Sequence, residues 1–152
     1  MKIYFAGPLF CEAELKFNLA LTEKLETEGF EVFLPQRDGV EADKPPYDQI
    51  AREERRKAMF ALGKQKVYES EIFLFVLDGR VPDEGACVEL GLAHAHKEFQ
   101  AKKYLIGLET DIRAAFIQAR INVMLDEALD DVVRTESDLL SLLKQYRTKN
   151  KI

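Results

Sequence analysis

Apolar residues follow two rhythms along the chain. Some form short unbroken runs rich in aromatic and β-branched side chains, and others recur every three or four positions among charges. Lys2-Ile3-Tyr4-Phe5-Ala6 is a run of the first kind, stopped by Gly7-Pro8, and predicts a buried strand running into a loop. From Glu12 to Glu28, Leu15, Leu19, Thr22 and Leu25 keep a helical spacing and Gly29 follows as a C′ residue, which predicts an amphipathic helix. Glu31-Val32-Phe33-Leu34 predicts a second strand closed by Pro35. Gln36 to Asp48, rich in Pro, Asp and Gly and without period, predicts a long surface loop.

A charged helix is expected from about Tyr47 to Glu69. Ile50, Ala58, Phe60, Ala61 and Val67 supply its apolar side, Arg52 to Lys57 its solvated side, and Gly63 a point of interruption. Ile72 to Leu77 is continuously apolar and too short to cross a membrane, which suits a central parallel strand buried on both faces. A helix from Gly85 to Phe99, a strand from Tyr104 to Leu108, an edge strand at Asp131-Val132-Val133 and a helix from Glu136 to Tyr146 complete the series. The last helix carries Leu139, Leu140, Leu142 and Leu143 on its apolar positions. Alternating strands and helices predict an α/β fold, a flavodoxin-like doubly wound five-stranded parallel sheet with helices on both faces. With no repeat, linker or low-complexity tract, residues 1–152 read as one domain.

Composition narrows the partners. The formal charge of −5 and the interspersed Lys and Arg argue against gripping nucleic acid or an anionic membrane by bulk electrostatics, and leave small neutral molecules. Cys11 and Cys87 form no CxxC pattern, and the absence of a signal-like apolar region makes a reducing cytoplasm the expected setting.

Open parallel sheets bind ligands beyond the carboxyl ends of their strands. That singles out three loops, Gly7 to Cys11, Gln36 to Asp48 and Asp78 to Glu84. The third places Asp78, Asp83 and Glu84 ahead of a helix whose second turn carries Glu89 among Ala86, Cys87, Val88, Leu90, Gly91 and Leu92. Taken singly, such acids more often cap a helix or sit on an exposed stripe. A carboxylate near a helix N-terminus is also the type held ionised by the dipole, as a nucleophile must be. Retaining glycosyl transfer adds a second carboxyl about 5 Å away as proton source, and Asp83 is the candidate.

His94 and His96, two apart on a helix, cannot form the i, i+4 pair of helical metal sites, so no metal is expected. Gly7, Gly79, Gly85 and Gly91 make no phosphate-cradling motif, which gives dinucleotides little support. Phe10 is placed either to pack or to stack on a planar base.

The strings KIYFAGPLF, FLP, FLFVLDG, DEGACVELGLA, GLETDIR and INVML, in this order, resemble the nucleoside 2-deoxyribosyltransferase family over nearly the whole chain. The most specific element is D-x-G-x-x-x-E-L-G from Asp83 to Gly91, followed by AGPLF at Ala6 to Phe10. The resemblance implies that Glu89 attacks C1′ of a 2′-deoxynucleoside, that Tyr4 orients Glu89, and that Asp83 handles the proton on the base. The resemblance places Phe10 in the base pocket, with Gly7, Asp78 and Gly85 expected beside the substrate. It implies further that Asn122 and Met124 complete the site of a neighbouring subunit in a homo-oligomer, and that no cofactor is needed. One departure stands out: where the family commonly carries Asp, eight residues ahead of Glu71, this chain has Gly63. Glu69, Asp38 and Asp48 are the acids left to compensate.

Two other functions fit the same outline. One is an N-glycosidase acting on deoxynucleoside 5′-monophosphates, which needs cationic or hydroxyl groups that Pro8-Leu9-Phe10-Cys11 lacks. The other is a non-catalytic nucleoside-binding module of flavodoxin-like shape. Signalling through a phosphorylated Asp78 lacks the acidic cluster near the first strand.

Overall fold

Strand side chains alternate between the two faces of a sheet, and here that alternation divides the core in two. The computed structural model describes residues 1–111 and 121–150, so Ile112 and Arg113 of the GLETDIR string lie outside the described residues. Strands β1 (Lys2–Ala6), β2 (Glu31–Phe33), β3 (Ile72–Val76), β4 (Tyr104–Leu108) and β5 (Asp131–Val133) form one sheet in the order β2-β1-β3-β4-β5. Each of these pairings is parallel. Ile3 and Phe5 join Ile72, Leu74 and Ile106 on one face, while Tyr4 and Ala6 join Phe73, Phe75 and Leu105 on the other.

Helices cover both faces. On the first, α1 (Glu12–Thr27) contributes Leu21 and Leu25, and the C-terminal helix contributes Leu139 and Leu143. On the second, α3 (Arg52–Glu69) contributes Val67, and α4 (Glu84–Phe99) contributes Ala86, Leu90 and Ala93. Two single helical turns, α2 (Pro35–Asp38) and α5 (Val123–Asp126), precede α6 (Glu136–Lys149). The expected parallel α/β architecture is therefore present. None of the described helices is long and apolar enough to cross a membrane.

Two helix faces differ from the expected ones. In α1, Leu15 and Leu19 stay 37% and 41% exposed, and the buried stripe is Asn18, Leu21, Thr22 and Leu25. The stripe includes a polar residue because Asn18 Nδ2 donates to the Pro8 carbonyl (2.9 Å) and Gln36 Oε1 (3.0 Å), joining the loop after β1 to the segment after β2. Residues Tyr47–Gln49 form a separate 3-10 turn, and Ile50 and Ala51 are extended, so the charged helix begins only at Arg52. It then runs unbroken through Gly63, with Phe60 and Ala61 turned to solvent. Packing against α4 and β1 sets its phase, turning Leu62, Gly63 and Val67 inward rather than the aromatic ring.

Beyond β1 the chain passes tightly over β3. A Cβ at Gly7 would lie 2.9 Å from Val76 Cβ, nearer than side-chain carbons approach one another. Gly7→Ala is therefore expected to destabilise the protein by about 2 kcal/mol in urea unfolding. Gly91→Ala in α4, where a Cβ would meet nothing within 4 Å, is expected to stabilise it by up to about 1 kcal/mol.

Candidate active site

The strand order reverses between β1 and β3, the place where open α/β sheets receive ligands. A cavity of about 350 Å³ lies there, between the ends of β1 and β2, helix α3 and the start of α4. Tyr4, 1% exposed, and half-buried Glu89 stand at its deep end, and Phe10, 76% exposed, at its rim. Gly7, Asp83 and Gly85 line it as well.

Tyr4 is fixed by the sheet. Its neighbours in register are Phe33 on β2 and Phe73 on β3, and their rings stack on its two sides at centroid distances of 5.5 and 5.7 Å. The phenol then has one direction left, and its hydroxyl donates to Glu89 Oε1 at 2.6 Å. Glu89 meets it because Ala86, Leu90 and Ala93 turn α4 onto the sheet, which carries position 89 toward β1 and α3.

The Glu89 carboxyl differs electrostatically from the expected one. It lies beyond the first turn of α4, where the helix dipole fades, and its partner is a phenol rather than a backbone N–H. Its pKa is raised from 4.5 to about 7: burial pushes it up most, the Tyr4 hydrogen bond pulls it down, and the nearby Asp83 charge adds to the rise. Burial and the adjacent carboxylate together hold the Tyr4 phenol protonated well above its ordinary range.

Asp83 caps α4, its Oδ2 accepting the Ala86 N–H at 2.7 Å while the residue lines the cavity. Asp78 is placed elsewhere. Oδ1 accepts the backbone N–H groups of Thr110 (2.6 Å) and Asp111 (2.9 Å), Oδ2 accepts the Thr110 hydroxyl, and these contacts tie the end of β3 to the end of β4. Asp78 is absent from the cavity lining. Asn122 and Met124 are also outside it. Asn122 Oδ1 accepts the Met124 N–H at 2.9 Å, and the Met124 side chain is 76% exposed.

The three acids expected to compensate for Gly63 do not reach Glu89. Glu69 binds Lys66 and Gln65 beside a separate cavity of about 310 Å³, and Asp38 accepts from Leu34 and Arg37. Asp48 is exposed and outside the lining. The third carboxyl of the cavity belongs instead to Glu41, and Gln36 joins it. Both lie in the Gln36 to Asp48 stretch that the sequence marked as a ligand-facing loop; its first residues instead form α2, which holds Gln36, and an aperiodic stretch gives no signal for which residues turn inward. Among the described residues the lining holds no Lys, Arg or His.

The sequence profile of nucleoside 2-deoxyribosyltransferases matches residues 3–138. The chain belongs to the nucleoside 2-deoxyribosyltransferase family. Among solved structures it is similar to a conserved protein of Enterococcus faecalis, at 28% identity over 96% of this chain and 98% of that one, with a TM-score of 0.74. The 2-deoxyribosyltransferase of Bacillus psychrosaccharolyticus shares 22% identity over 91% and 90% of the two chains, with a TM-score of 0.74. A CMP N-glycosidase of Clostridium botulinum shares 20% over 96% and 99%, with a TM-score of 0.54. These last two likenesses show the fold. No curated protein matches the chain. The family's five-stranded parallel sheet is the one observed here.

The raised pKa of Glu89 has a stability consequence with a definite sign. The folded state holds this proton more tightly than the unfolded chain, so the contribution is full below pH 4.5 and is lost as pH rises through about 7. Glu89→Gln removes that loss and is expected to raise unfolding free energy at pH 8 by roughly 1–3 kcal/mol, with little gain at pH 4.5, in urea titrations. Tyr4→Phe deletes the interaction that lowers the pKa, and is expected to shift titration of the Glu89 carboxyl, followed by infrared spectroscopy, to higher pH.

Proposed function

We propose that this protein transfers the 2-deoxyribosyl group between purine and/or pyrimidine bases, through a covalent sugar ester on Glu89. The observation that carries the reading is the half-buried Glu89 carboxyl held by Tyr4 at 2.6 Å, facing a cavity it shares with Asp83. The cavity, at about 350 Å³, falls within the range of small-ligand sites, roughly 300–1,000 Å³.

In the first step ionised Glu89 attacks C1′ from the face opposite the base. The C1′–O bond forms, the C1′–N bond breaks through an oxocarbenium-like transition state, and the departing nitrogen takes its proton from Asp83. In the second step another base attacks C1′, returns a proton to Asp83 and expels the Glu89 carboxylate. Two inversions leave the β configuration unchanged, and neither step calls for a metal or organic cofactor. Tyr4 is a positioning residue: its hydroxyl aims the carboxylate and favours the ionised form. Phe10 at the rim offers a flat apolar face to the base.

Nucleosides suit this lining better than nucleotides, since among the described residues it holds three carboxyls and no cation, an arrangement that repels a 5′-phosphate. That favours transfer between nucleosides over the N-glycosidase reading. Asn122 and Met124, exposed and outside the lining of their own cavity, are assigned to the site of a second copy in a homo-oligomer. A reducing cytoplasm is the proposed setting, with Cys11 and Cys87 as free thiols.

Wild-type protein given 2′-deoxyinosine and adenine should form 2′-deoxyadenosine, and Glu89→Ala should lower that rate by on the order of a thousandfold or more. Undiminished exchange in the variant would sink the assignment, as would free deoxyribose accumulating without any new nucleoside. Mixing Glu89→Ala with an Asn122→Ala/Met124→Ala double variant should recover activity that neither shows alone. No recovery after subunit exchange would count against shared sites.

A further inference from the structure

Gly63 stands in the interior of α3, where glycine is less stable than alanine. Nothing among the described residues calls for it. The helix is continuous there, and a Cβ would make only ordinary contacts, 3.5 Å from the Tyr4 hydroxyl and 3.7 Å from Glu89 Oε1. The residue lines the cavity, so the bare space lies directly beside the carboxylate oxygen that Tyr4 holds. A half-buried helical glycine on the cavity wall, with no demand from backbone or packing, points to something else occupying that space.

Stereochemistry says what lies there. A carboxylate displacing a β-linked base approaches C1′ from the α face. The 2′-hydroxyl of ribose projects from the neighbouring carbon on that same face, and so comes alongside the attacking carboxylate. Around Glu89 the Tyr4 ring is wedged between Phe33 and Phe73, and Ala86 and Leu90 are packed on the sheet. The α3 side is where volume is left open, and Gly63 is what leaves it open.

We propose that Gly63 keeps a 2′-substituent corner free beside the nucleophile, so that the protein accepts ribonucleosides as glycosyl donors as well as 2′-deoxynucleosides. This rests on the reading of Glu89 as nucleophile. The bonds made and broken are those already given, with the 2′-hydroxyl a spectator seated against α3.

The test compares wild-type protein and Gly63→Ala with inosine or 2′-deoxyinosine as donor and adenine as acceptor, following adenosine and 2′-deoxyadenosine by chromatography. Wild type should form both products. Gly63→Ala should melt at a higher temperature and lose kcat/KM for inosine at least tenfold more than for 2′-deoxyinosine. Equal losses on the two donors, no loss on either, or a wild type that forms 2′-deoxyadenosine without adenosine would each overturn the proposal while leaving the transferase reading intact. A wild type that forms neither product overturns the transferase reading, and this one with it.

Discussion

The hydrogen bond from the Tyr4 hydroxyl to Glu89 ties strand β1 to helix α4, and its geometry depends on almost every layer of the fold. Parallel register places Phe33 and Phe73 on either side of Tyr4, leaving the phenol one direction in which to point. Small and apolar residues of α4, Ala86, Leu90 and Ala93, set the phase that brings Glu89 to meet it. A carboxyl so placed is under tension, because burial favours its neutral form and the phenol favours its ionised one. Burial wins, and the group sits near pH 7, poised to switch between its neutral and its charged form. A carboxyl perturbed in this way at a cavity wall is the kind of group that functional sites carry.

The other acids at the carboxyl edge of the sheet divide their work between architecture and the cavity. Asp78 organises the chain leaving β4, and its two oxygens are engaged by Thr110 and Asp111. Asp83 starts α4 with one oxygen and keeps its place in the cavity lining. Asn18 joins the loop after β1 to Gln36, so the two loops that carry Phe10 and Glu41 are held together from beneath. Much of the polar lining of the cavity is thus satisfied by the scaffold, through Tyr4 with Glu89, Asp83 with Ala86 and Gln36 with Asn18.

Much of the fold was legible in the chain. Runs such as Ile72 to Val76, apolar at every position, suit strands covered on both faces, and their alternation with helical segments points to the parallel doubly wound sheet that is observed. The short spacing from Asp83 to Glu89, fixed within one helix, was legible for the same reason: local geometry follows from local sequence. Helix phase was not, as Leu15, Leu19 and Phe60 show. All three are apolar and exposed, while Asn18 and Gly63 take the inward positions. Nor was it visible that Asp78 would be consumed by a loop 32 residues away, that Glu41 would share a cavity with Glu89, or that burial would raise the Glu89 pKa. Each of those outcomes depends on which distant segments come to lie against one another, and a side chain's exposure, partners and charge are set by that surrounding packing rather than by its neighbours along the chain.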